Sequence, residues 1–350
     1  MKLFSSYEQL QAMNKKEIDQ LIQDGIFPYD QDADVTLIET AISYVLLKGQ
    51  YAYKIKKNIK LSYLDFSTLS ARKYYCFEEL RLNKRLAQDM YLGVFPILKI
   101  GTQWHIKKQS TIADEYAVCM KRIDTSLQLD VQLNKHSVTK GNIEDIAKQI
   151  AAFHIQEKSI KVTYDPFFLS REFADIRNFQ PTIKQHLGID YYNLVEYAIQ
   201  LSDGIINLLQ NSIQSRVQEG YFKECHGDVH AKNIFLTSPP TIFDCIEFKK
   251  EFREIDVLNE IAFLCMDLEC ATHDKLSSSF LKAYLAQTGF AFGKKEQLLF
   301  TYFKAYRACI RAKVAAIGLS QDTTNKQLKK EAKKYMEAMT VYLIEIAKAV

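Results

Sequence analysis

The pattern of this 350-residue chain changes from strand-like to helix-like near residue 123, and this change most constrains its fold. Before that point, short segments rich in β-branched and aromatic residues predict strands, namely VTLIET, ISYVLLKG, YAYKIKK, VFPILKI, TQWHIKK and YAVCMKRI. One long helix is predicted over residues 68–88, with Ser67 or Ser70 as its N-cap. One or two short amphipathic helices are predicted over residues 6–25.

After residue 123, apolar residues recur at helical spacing. This spacing predicts helices over residues 143–156 and 191–210 and in four later segments, which are VLNEIAFLCMDLEC, SSFLKAYLAQ, EQLLFTYFKAYRACIRAKVAAIGL and KQLKKEAKKYMEAMTVYLIEIAKAV. A β-rich part followed by a mostly helical part predicts an α+β fold. We therefore expect an N-lobe over residues 1–122, with a helical extension at its start, and a larger C-lobe over residues 123–350.

Composition and charge exclude several classes of protein. Apolar residues make up 47% and charged residues 25% of the chain, which is ordinary for a globular protein. The net charge of +4 is mild, and basic and aromatic residues are not concentrated in one motif, so no nucleic-acid partner is expected. No apolar run approaches the roughly 20 residues of a membrane span. Seven cysteines without paired spacing, together with a polar N-terminus, predict a cytoplasmic protein with free thiols.

The strongest chemical signal is the string His226-Gly227-Asp228-Val229-His230-Ala231-Lys232-Asn233, followed by Ile242-Phe243-Asp244. Phosphoryl transfer needs a carboxylate that meets the incoming hydroxyl and hard oxygen ligands that hold Mg²⁺. Asp228 fits the first role, and Asn233 and Asp244 fit the second. A hairpin with a Pro239-Pro240 turn is expected to return Asp244 to the side of Asn233.

A basic and an acidic residue in the predicted N-lobe fit the same chemistry. Lys54 lies on the third predicted strand, where an ammonium group can reach nucleotide phosphates. Glu79, on the following helix, is expected to pair with Lys54. Lys56 shares the strand face of Lys54, and Glu78 neighbours Glu79, so the sequence leaves both choices open.

These motifs together resemble the aminoglycoside phosphotransferase-like superfamily, which has the protein-kinase fold. The resemblance covers roughly residues 30–320 and is carried by ETAISYVLLKGQYAYKIKK, YLDFSTLSARKYYCFEELRLNKRLA and HGDVHAKNIFL with IFDCIEFKKEFREIDVLNEIAFLCMDLE. It implies a two-lobed protein-kinase-like fold and Mg²⁺-dependent transfer of a phosphoryl group from ATP or GTP to a small-molecule hydroxyl. It also implies that Asp228 is the catalytic base and that Ala117 to Ile123, including Met120 and Arg122, meets the adenine.

The chain departs from the protein-kinase pattern in three places. Residues 40–43 contain no glycine where protein kinases have a Gly-rich loop, so Thr40 and Ser43 are the candidate phosphate contacts there. Asp244-Cys245-Ile246 stands in place of D-F-G, and no A-P-E follows. Within the superfamily, the chain resembles a bacterial branch whose members often carry a P-loop ATPase domain. No P-loop motif occurs here, so such a partner, if needed, is on another chain or absent.

Other residues near the string have two readings each. His226 is placed with the catalytic residues, where a neutral ring that holds the loop is favoured over a proton-transfer role. His230 faces either the acceptor or solvent. Asp256 is favoured as the residue that braces the catalytic loop by accepting backbone N–H groups, with a plain N-cap as the alternative. Glu247 either supports the metal site or lies at the surface.

A basic stripe on a late helix concerns the acceptor. Arg307 and Arg311 are four residues apart, with Lys304 on the same side. The two arginines are candidates for the acceptor side, and a basic face there would suggest an anionic acceptor. The favoured alternative is a solvated charged face or internal ion pairs to Asp267 or Glu269.

The leading hypothesis is therefore a small-molecule kinase. A nucleotide-binding regulator with little turnover is the alternative, because the glycine loop is missing. A protein kinase is a further alternative, which the missing A-P-E segment disfavours.

Overall fold

The computed structural model of this protein describes residues 13–29, 32–61, 64–161, 165, 167–271 and 273–349. The chain forms two compact units, each described here by itself. The first comprises Met1–Gln128 and Asn233–Phe252, and the second comprises Leu129–Lys232 and Arg253–Val350. Residues 233–252 thus belong to the first unit, although the sequence analysis assigned every residue after 122 to the second lobe.

A six-stranded antiparallel sheet forms the centre of the first unit. The strands of this part of the chain are β1 (Val35–Glu39), β2 (Ser43–Lys48), β3 (Tyr51–Lys56), β4 (Lys60–Leu61), β5 (Leu64–Asp65), β6 (Tyr91–Ile100), β7 (Gln103–Ile106) and β8 (Glu115–Lys121). The sheet has the order β1-β2-β3-β8-β6-β7, while β4 and β5 pair separately. The six long segments predicted as strands are all confirmed.

Helices α1 (Lys15–Asp24) and α2 (Leu69–Asn83) belong to this unit. The two faces of the sheet have separate apolar cores, because side chains alternate along each strand. Ile18 of α1 packs in the core that contains Tyr53, and Cys76 of α2 packs in the core that contains Ala52. Part of the predicted helical segment 6–25 lies outside the described residues.

The predicted start and end of helix α2 are wrong. Thr68, rather than Ser67 or Ser70, is the N-cap, because its side-chain oxygen accepts the N–H of Ala71. The helix ends at Asn83, five residues before the predicted end at 88. The Ser67 hydroxyl is hydrogen-bonded to Asp65 instead.

The second unit is built mainly from helices. These are α3 (Leu129–Asn134), α4 (Lys140–Gln156), α5 (Phe168–Ala174), α6 (Gln180–Leu187), α7 (Ile189–Gln218), α8 (Val257–Cys270), α9 (Asp274–Thr288), α10 (Lys294–Gln321) and α11 (Lys326–Ala349). Residues 257–266 of α8 are all buried, so this helix forms the centre of the unit. The predicted α+β fold class is confirmed.

Four short strands follow helix α7 in the chain: β9 (Phe222–Glu224), β10 (Ile234–Phe235), β11 (Thr241–Ile242) and β12 (Glu254–Asp256). β9 pairs with β12 in the second unit, and β10 pairs with β11 in the first. The β10–β11 hairpin joins the first unit because Leu236 N–H bonds to Leu127 O over 2.9 Å and Phe235 lies in the core beside Cys76.

Across the parts of the chain that the structure describes, no helix combines the length and the apolar character needed to span a membrane.

Helix α2 is attached to strand β8 by a buried ion pair. Arg72 Nε lies 2.8 Å from Glu115 Oε2, and Arg72 Nη1 donates to Phe66 O over 2.9 Å. Both side chains are about 1% exposed. Burial raises the pKa of Glu115 to about 7 even though the Arg72 charge lowers it. Removal of Arg72 therefore leaves a buried carboxyl without its charged partner, which is a costly change.

We therefore expect Arg72→Met to lower the free energy of unfolding by about 3–5 kcal/mol. The double variant Arg72→Met/Glu115→Met should recover most of this loss. The matched control is Arg81→Met on the same helix, because Arg81 pairs with Glu78 and is half exposed. This substitution should lower the free energy of unfolding by less than about 1 kcal/mol. Urea unfolding measures all three, and equal losses for Arg72→Met and the control would contradict the expectation.

Candidate active site

Lys54 and Lys56 both project from strand β3 towards the carboxylate of Glu79. Lys54 Nζ lies 2.9 Å from Glu79 Oε1, and Lys56 Nζ lies 2.7 Å from Glu79 Oε2. Glu78 pairs with Arg81. Of the two acids that the sequence left open, Glu79 is the inward one, and it binds both lysines.

Two further carboxylates complete this group in the first unit. Lys54 Nζ lies 2.7 Å from Asp244 Oδ1, and Lys56 Nζ contacts Glu247 Oε1. Burial is graded across the group, since the side chains of Lys56 and Glu79 are 0% exposed and that of Asp244 is 45% exposed. The exposed end of the group, which a ligand can reach, thus consists of Lys54 and Asp244.

Charge stabilises the ionised forms in this group. Burial by itself raises the pKa of Glu79, but the Lys54 and Lys56 cations lower it to about 2. Burial likewise lowers the pKa of Lys54, and the neighbouring Asp244 and Glu79 charges raise it well above its usual value. Lys54 is therefore a permanent cation beside an ionised Glu79.

The backbone of Asp244 adopts an uncommon conformation. Its φ of 64° lies in the left-handed region, which aspartate tolerates better than most residues. Side chains hold the backbone on both sides: Asp244 N–H faces Tyr91 Oη at 3.4 Å, and Cys245 N–H donates to Asn83 Oδ1 over 2.9 Å. This strained turn directs the Asp244 carboxylate to Lys54.

Asn233 is brought next to the Asp244 segment by the β10–β11 hairpin, as the sequence predicted. Ile234 pairs with Ile242, and Phe243 N–H donates to Asn233 O over 3.0 Å. Asn233 is only 7% exposed. Oxygen ligands of the type that Mg²⁺ prefers thus come from two neighbouring points of one hairpin.

The turn between β1 and β2 differs from an open phosphate-binding loop. Thr40 Oγ1 accepts the N–H groups of Ser43 over 2.9 Å and of Ile42 over 3.3 Å. Ser43 itself is 0% exposed. Because Thr40 uses these two backbone donors within the turn, the geometry argues against phosphate contacts from Ser43.

Met120 and Arg122 lie at the end of strand β8, where the resemblance implies contact with adenine. Met120 is 6% exposed and packs in the core beside Ala52 and Val118. Arg122 is exposed, and its guanidinium donates to Gly49 O over 2.8 Å. Contact of either residue with a nucleotide stays a prediction.

The loop over residues 226–232 in the second unit is held by Glu260 of helix α8. Its carboxylate accepts the N–H groups of His226 over 3.1 Å and of Gly227 over 2.6 Å. Gly227 has a φ of 88°, a conformation that favours glycine, and this turn points two consecutive N–H groups at one acid. His154 Nε2 lies 2.8 Å from the same carboxylate.

The expectation that Asp256 braces the loop is wrong. Asp256 is the N-cap of α8, where it accepts Leu258 N–H over 2.8 Å, and it pairs with Arg216 at 2.6 and 2.8 Å. Glu260 lies one helical turn further on, and it performs the bracing role. The sequence contained both acids, but only the packing of the helix against the loop distinguishes them.

Two histidines of the string accept backbone hydrogen bonds. Asp228 N–H faces His226 Nδ1 at 3.3 Å, and Lys232 N–H donates to His230 Nδ1 over 3.2 Å. A neutral His230 that accepts at Nδ1 carries its proton on Nε2, and this atom lies 3.4 Å from Asp228 Oδ2. His230 therefore faces Asp228, rather than solvent alone, and is 5% exposed.

The Asp228 carboxylate is kept ionised by its surroundings. Burial raises its pKa, but the nearby His230, Arg311 and His226 groups lower it well below the usual range. The side chain is 32% exposed, so a ligand can reach it. An ionised, accessible carboxylate fits a group that accepts a hydrogen bond from a hydroxyl.

The basic stripe on α10 is bound largely by groups of the second unit itself. Lys304 pairs with Glu269 at 2.9 Å. Arg307 is 3% exposed and donates to Gly227 O over 2.9 Å and to Asn259 Oδ1 over 2.7 Å. These contacts favour a role for Arg307 in holding the catalytic loop over the predicted contact with an acceptor.

Arg311 has a different environment from Arg307. Its Nη1 lies 3.5 Å from His230 Nε2, and its guanidinium covers the ring of Tyr335. Tyr335 donates to Asp267 Oδ1 over 2.9 Å, while Asp267 Oδ2 accepts Ala231 N–H over 3.0 Å. Helices α8, α10 and α11 thus all support the string around Asp228.

His154, Cys225 and Glu260 lie close enough together to be compared with a metal site. However, each is already hydrogen-bonded within the protein. His154 Nδ1 lies 2.7 Å from the Tyr284 hydroxyl, Cys225 Sγ donates to Ile255 O over 3.6 Å, and Glu260 accepts from the catalytic loop. We interpret this cluster as the buried support of the loop.

No family model matches the chain. Curated relatives include uncharacterized proteins of Mycobacterium bovis and Mycobacterium tuberculosis, which are 28% identical over 302 residues, or 84% of this chain. The chain spans 57% of the length of these relatives.

Solved structures with the same fold include several kinases of small molecules. The choline kinase of Cryptosporidium parvum has a TM-score of 0.58 and 13% identity, with 96% of this chain and 97% of that chain covered. An amicoumacin kinase in complex with AMP-PNP, Ca²⁺ and Ami has a TM-score of 0.55 and 12% identity, with 94% of each chain covered. A microcompartment-associated aminopropanol kinase has a TM-score of 0.52 and 11% identity, with 96% and 98% covered.

The chain has the protein-kinase-like fold that the sequence predicted.

The brace by Glu260 has a consequence for pH dependence. Burial raises the pKa of Glu260, but hydrogen bonds and charge from His154, His226 and Gly227 lower it to about 2. An acid whose pKa is lower in the folded protein contributes stability above its unfolded pKa, and this contribution is lost as the pH falls through the folded value.

We therefore expect Glu260→Gln to lower the free energy of unfolding at pH 7 by about 3 kcal/mol. The difference from the wild type should shrink as the pH falls from about 4.5 towards 2. Urea unfolding across this range is the measurement, with the exposed Glu345→Gln of helix α11 as the control. A loss that is the same at pH 7 and at low pH would show that the Glu260 charge is not what stabilises the loop.

Proposed function

We propose that this protein is a Mg²⁺-dependent phosphotransferase that moves the γ-phosphoryl group of ATP or GTP to a hydroxyl of a small-molecule acceptor. The observation that carries the proposal is the ion-paired group of Lys54, Glu79 and Asp244, with contacts of 2.9 and 2.7 Å. A fixed cation beside an exposed carboxylate is what a triphosphate and its metal ion require. The kinases of choline, amicoumacin and aminopropanol with the same fold support it.

In this proposal, the exposed end of the group binds the phosphoryl donor. Lys54 exchanges its contact with Asp244 for a phosphate oxygen, while Glu79 keeps the ammonium in place. Asp244 and Asn233 hold Mg²⁺, and their oxygen atoms fit this ion because it prefers hard oxygen ligands. When bound, Mg²⁺ neutralises charge on the phosphates. The amicoumacin kinase structure with AMP-PNP and Ca²⁺ supports the use of a nucleotide and a divalent ion.

Asp228 orients the acceptor hydroxyl and receives its proton. Its lowered pKa makes it a weak base, so its main effect is to accept a hydrogen bond from the hydroxyl and aim the oxygen lone pair. This is sufficient for phosphoryl transfer, whose transition state is loose in most analyses. His230 limits the rotation of the carboxylate by its position 3.4 Å from Oδ2.

The contacts of the basic stripe leave the charge of the acceptor open. The stripe suggested an anionic acceptor, but Lys304 and Arg307 bind groups of the protein. A cationic acceptor is therefore equally compatible with these contacts. Arg311 is retained as the arginine on the acceptor side, because of its position beside His230 and Asp228.

The second candidate function is a nucleotide-binding regulator with little turnover. The turn that Thr40 holds between β1 and β2 favours it, because this turn uses two backbone donors that a glycine loop offers to phosphate. Nucleotide binding without transfer to any acceptor would support this candidate.

The setting of the reaction also remains a proposal. Six of the seven cysteines are buried and all are free thiols, which supports a reducing cytoplasmic environment. A P-loop ATPase that acts from another chain, and the lack of a nucleic-acid partner, are kept as predictions.

Two substitutions separate the proposed roles. Asp228→Asn should lower kcat by about 10²–10⁴-fold and leave nucleotide binding intact, because it removes only the group that receives the proton. Asp244→Asn should abolish the Mg²⁺-dependent stabilisation of the protein by nucleotide. In the wild type this stabilisation is about 2.7 kcal/mol when the nucleotide concentration is a hundred times Kd.

Thermal unfolding with ATP, GTP and Mg²⁺, alone and together, measures binding. Transfer of a labelled γ-phosphoryl group to a panel of amino alcohols, aminoglycosides and sugars measures turnover. The control is Asp145→Asn, which removes an exposed aspartate of helix α4. Full turnover in either variant would reject the assigned roles.

A further inference from the structure

The first unit contains a second lysine, Lys56, that the proposed reaction does not use. It lies two residues after Lys54 on strand β3, so the two side chains project from the same face. Its side chain is 0% exposed, whereas that of Lys54 is 12% exposed. A fully buried lysine beside a candidate phosphate-binding lysine requires a physical reason, because burial of an ammonium is costly.

We propose that Lys56 is a positioning residue that neutralises the two buried carboxylates of the site, Glu79 and Glu247, and thereby leaves Lys54 available to a phosphate. This inference rests on the proposed function, since it concerns how the same site binds its nucleotide. In this arrangement Lys56 pairs with the buried acids, and Lys54 binds phosphate.

The contacts of Lys56 support a structural role for its charge. Its ammonium lies 2.7 Å from Glu79 Oε2, contacts Glu247 Oε1 and stands 5.0 Å from the centre of the Phe66 ring. These groups surround the ammonium, and none of it is exposed. Lys56 therefore contacts carboxylates on two sides. A phosphate oxygen could bind Lys56 only by displacing one of these carboxylates.

The charge balance explains why one lysine is insufficient. Three carboxylates lie around the two ammonium groups, and those of Glu79 and Glu247 are 0% and 3% exposed. Without Lys56, Glu79 and Glu247 would each lose a contacting ammonium, and Lys54, which already contacts Glu79, would be drawn towards them. With Lys56 in place, Lys54 can exchange the exposed Asp244 for a phosphate without leaving a buried charge unpaired.

Lys56 also connects the two chain segments that supply the site. Glu79 is on helix α2, and Glu247 follows Asp244 by three residues. The single ammonium between them attaches the helix to the segment that carries the exposed carboxylate. Movement of Glu247 would therefore be transmitted through a short chain segment to Asp244.

The test measures MgATP affinity and thermal stability for a set of variants at temperatures where each is folded. Lys54→Met should weaken MgATP binding at least about tenfold, with little change in the melting temperature of the free protein, because Glu79 keeps Lys56. Lys56→Met should lower the melting temperature and also weaken MgATP binding about tenfold, because Lys54 turns to the buried acids.

Removal of Lys56 together with one of its acids distinguishes a positioning role for Lys56 from direct contact with the nucleotide. Lys56→Met/Glu247→Met leaves Glu79 with Lys54 and no unpaired buried carboxylate, so it should recover most of the stability and MgATP affinity. Lys56→Arg should stay within about threefold of the wild type, since a guanidinium also binds two carboxylates. The control is Lys60→Met, which removes a lysine that is 73% exposed.

Two results would overturn the inference. MgATP affinity of Lys56→Met equal to that of the wild type would leave Lys56 with no role in nucleotide binding. A double variant that binds as weakly as Lys56→Met would mean that Lys56 contacts the nucleotide itself. If Lys56→Met does not fold, the double variant and Lys56→Arg decide, because both keep the buried charges balanced.

Failure of the proposed function is seen separately. A wild-type protein that does not bind MgATP rejects the function itself. A wild-type protein that binds MgATP, with binding lost in Lys54→Met and unchanged in Lys56→Met, rejects only the role of Lys56.

Discussion

Buried carboxylates are the constraint on which the candidate functional groups of each unit depend. An ionised acid in a protein interior is stable only when cations or hydrogen-bond donors surround it. Glu79 meets this requirement with Lys54 and Lys56, and Glu260 meets it with two backbone N–H groups and His154. Each acid therefore determines where its neighbours lie, and these neighbours include the groups that are available to ligands.

The two units use this constraint in the same way. In the first, the buried Glu79 holds Lys54, which contacts the exposed Asp244. In the second, the buried Glu260 holds the turn at Gly227, and Asp228 follows as an accessible carboxylate. An accessible acid is thus positioned in each unit by a second acid that is buried. Such preorganisation lowers the reorganisation needed when a charged ligand binds.

Sequence reasoning succeeded where the signal was local and failed where two residues of one type competed. Strand and helix periodicity predicted the order of the elements, because side-chain alternation and helical spacing are properties of short segments. Thr68 rather than Ser67 or Ser70 caps α2, and Glu260 rather than Asp256 braces the loop. In both cases the competing residues have the same chemistry and differ only in where the backbone places them.

The amino-acid sequence by itself determined the α+β order of the elements and the set of residues with the chemistry for phosphoryl transfer. Spacing and side-chain type are properties of the sequence and need no tertiary contact. Only the tertiary structure decided that Glu79 is shared by two lysines and that Arg307 supports the loop. Contacts between residues far apart in the chain depend on how whole elements pack. Packing decides which charges are buried and therefore which of them must be neutralised within the protein.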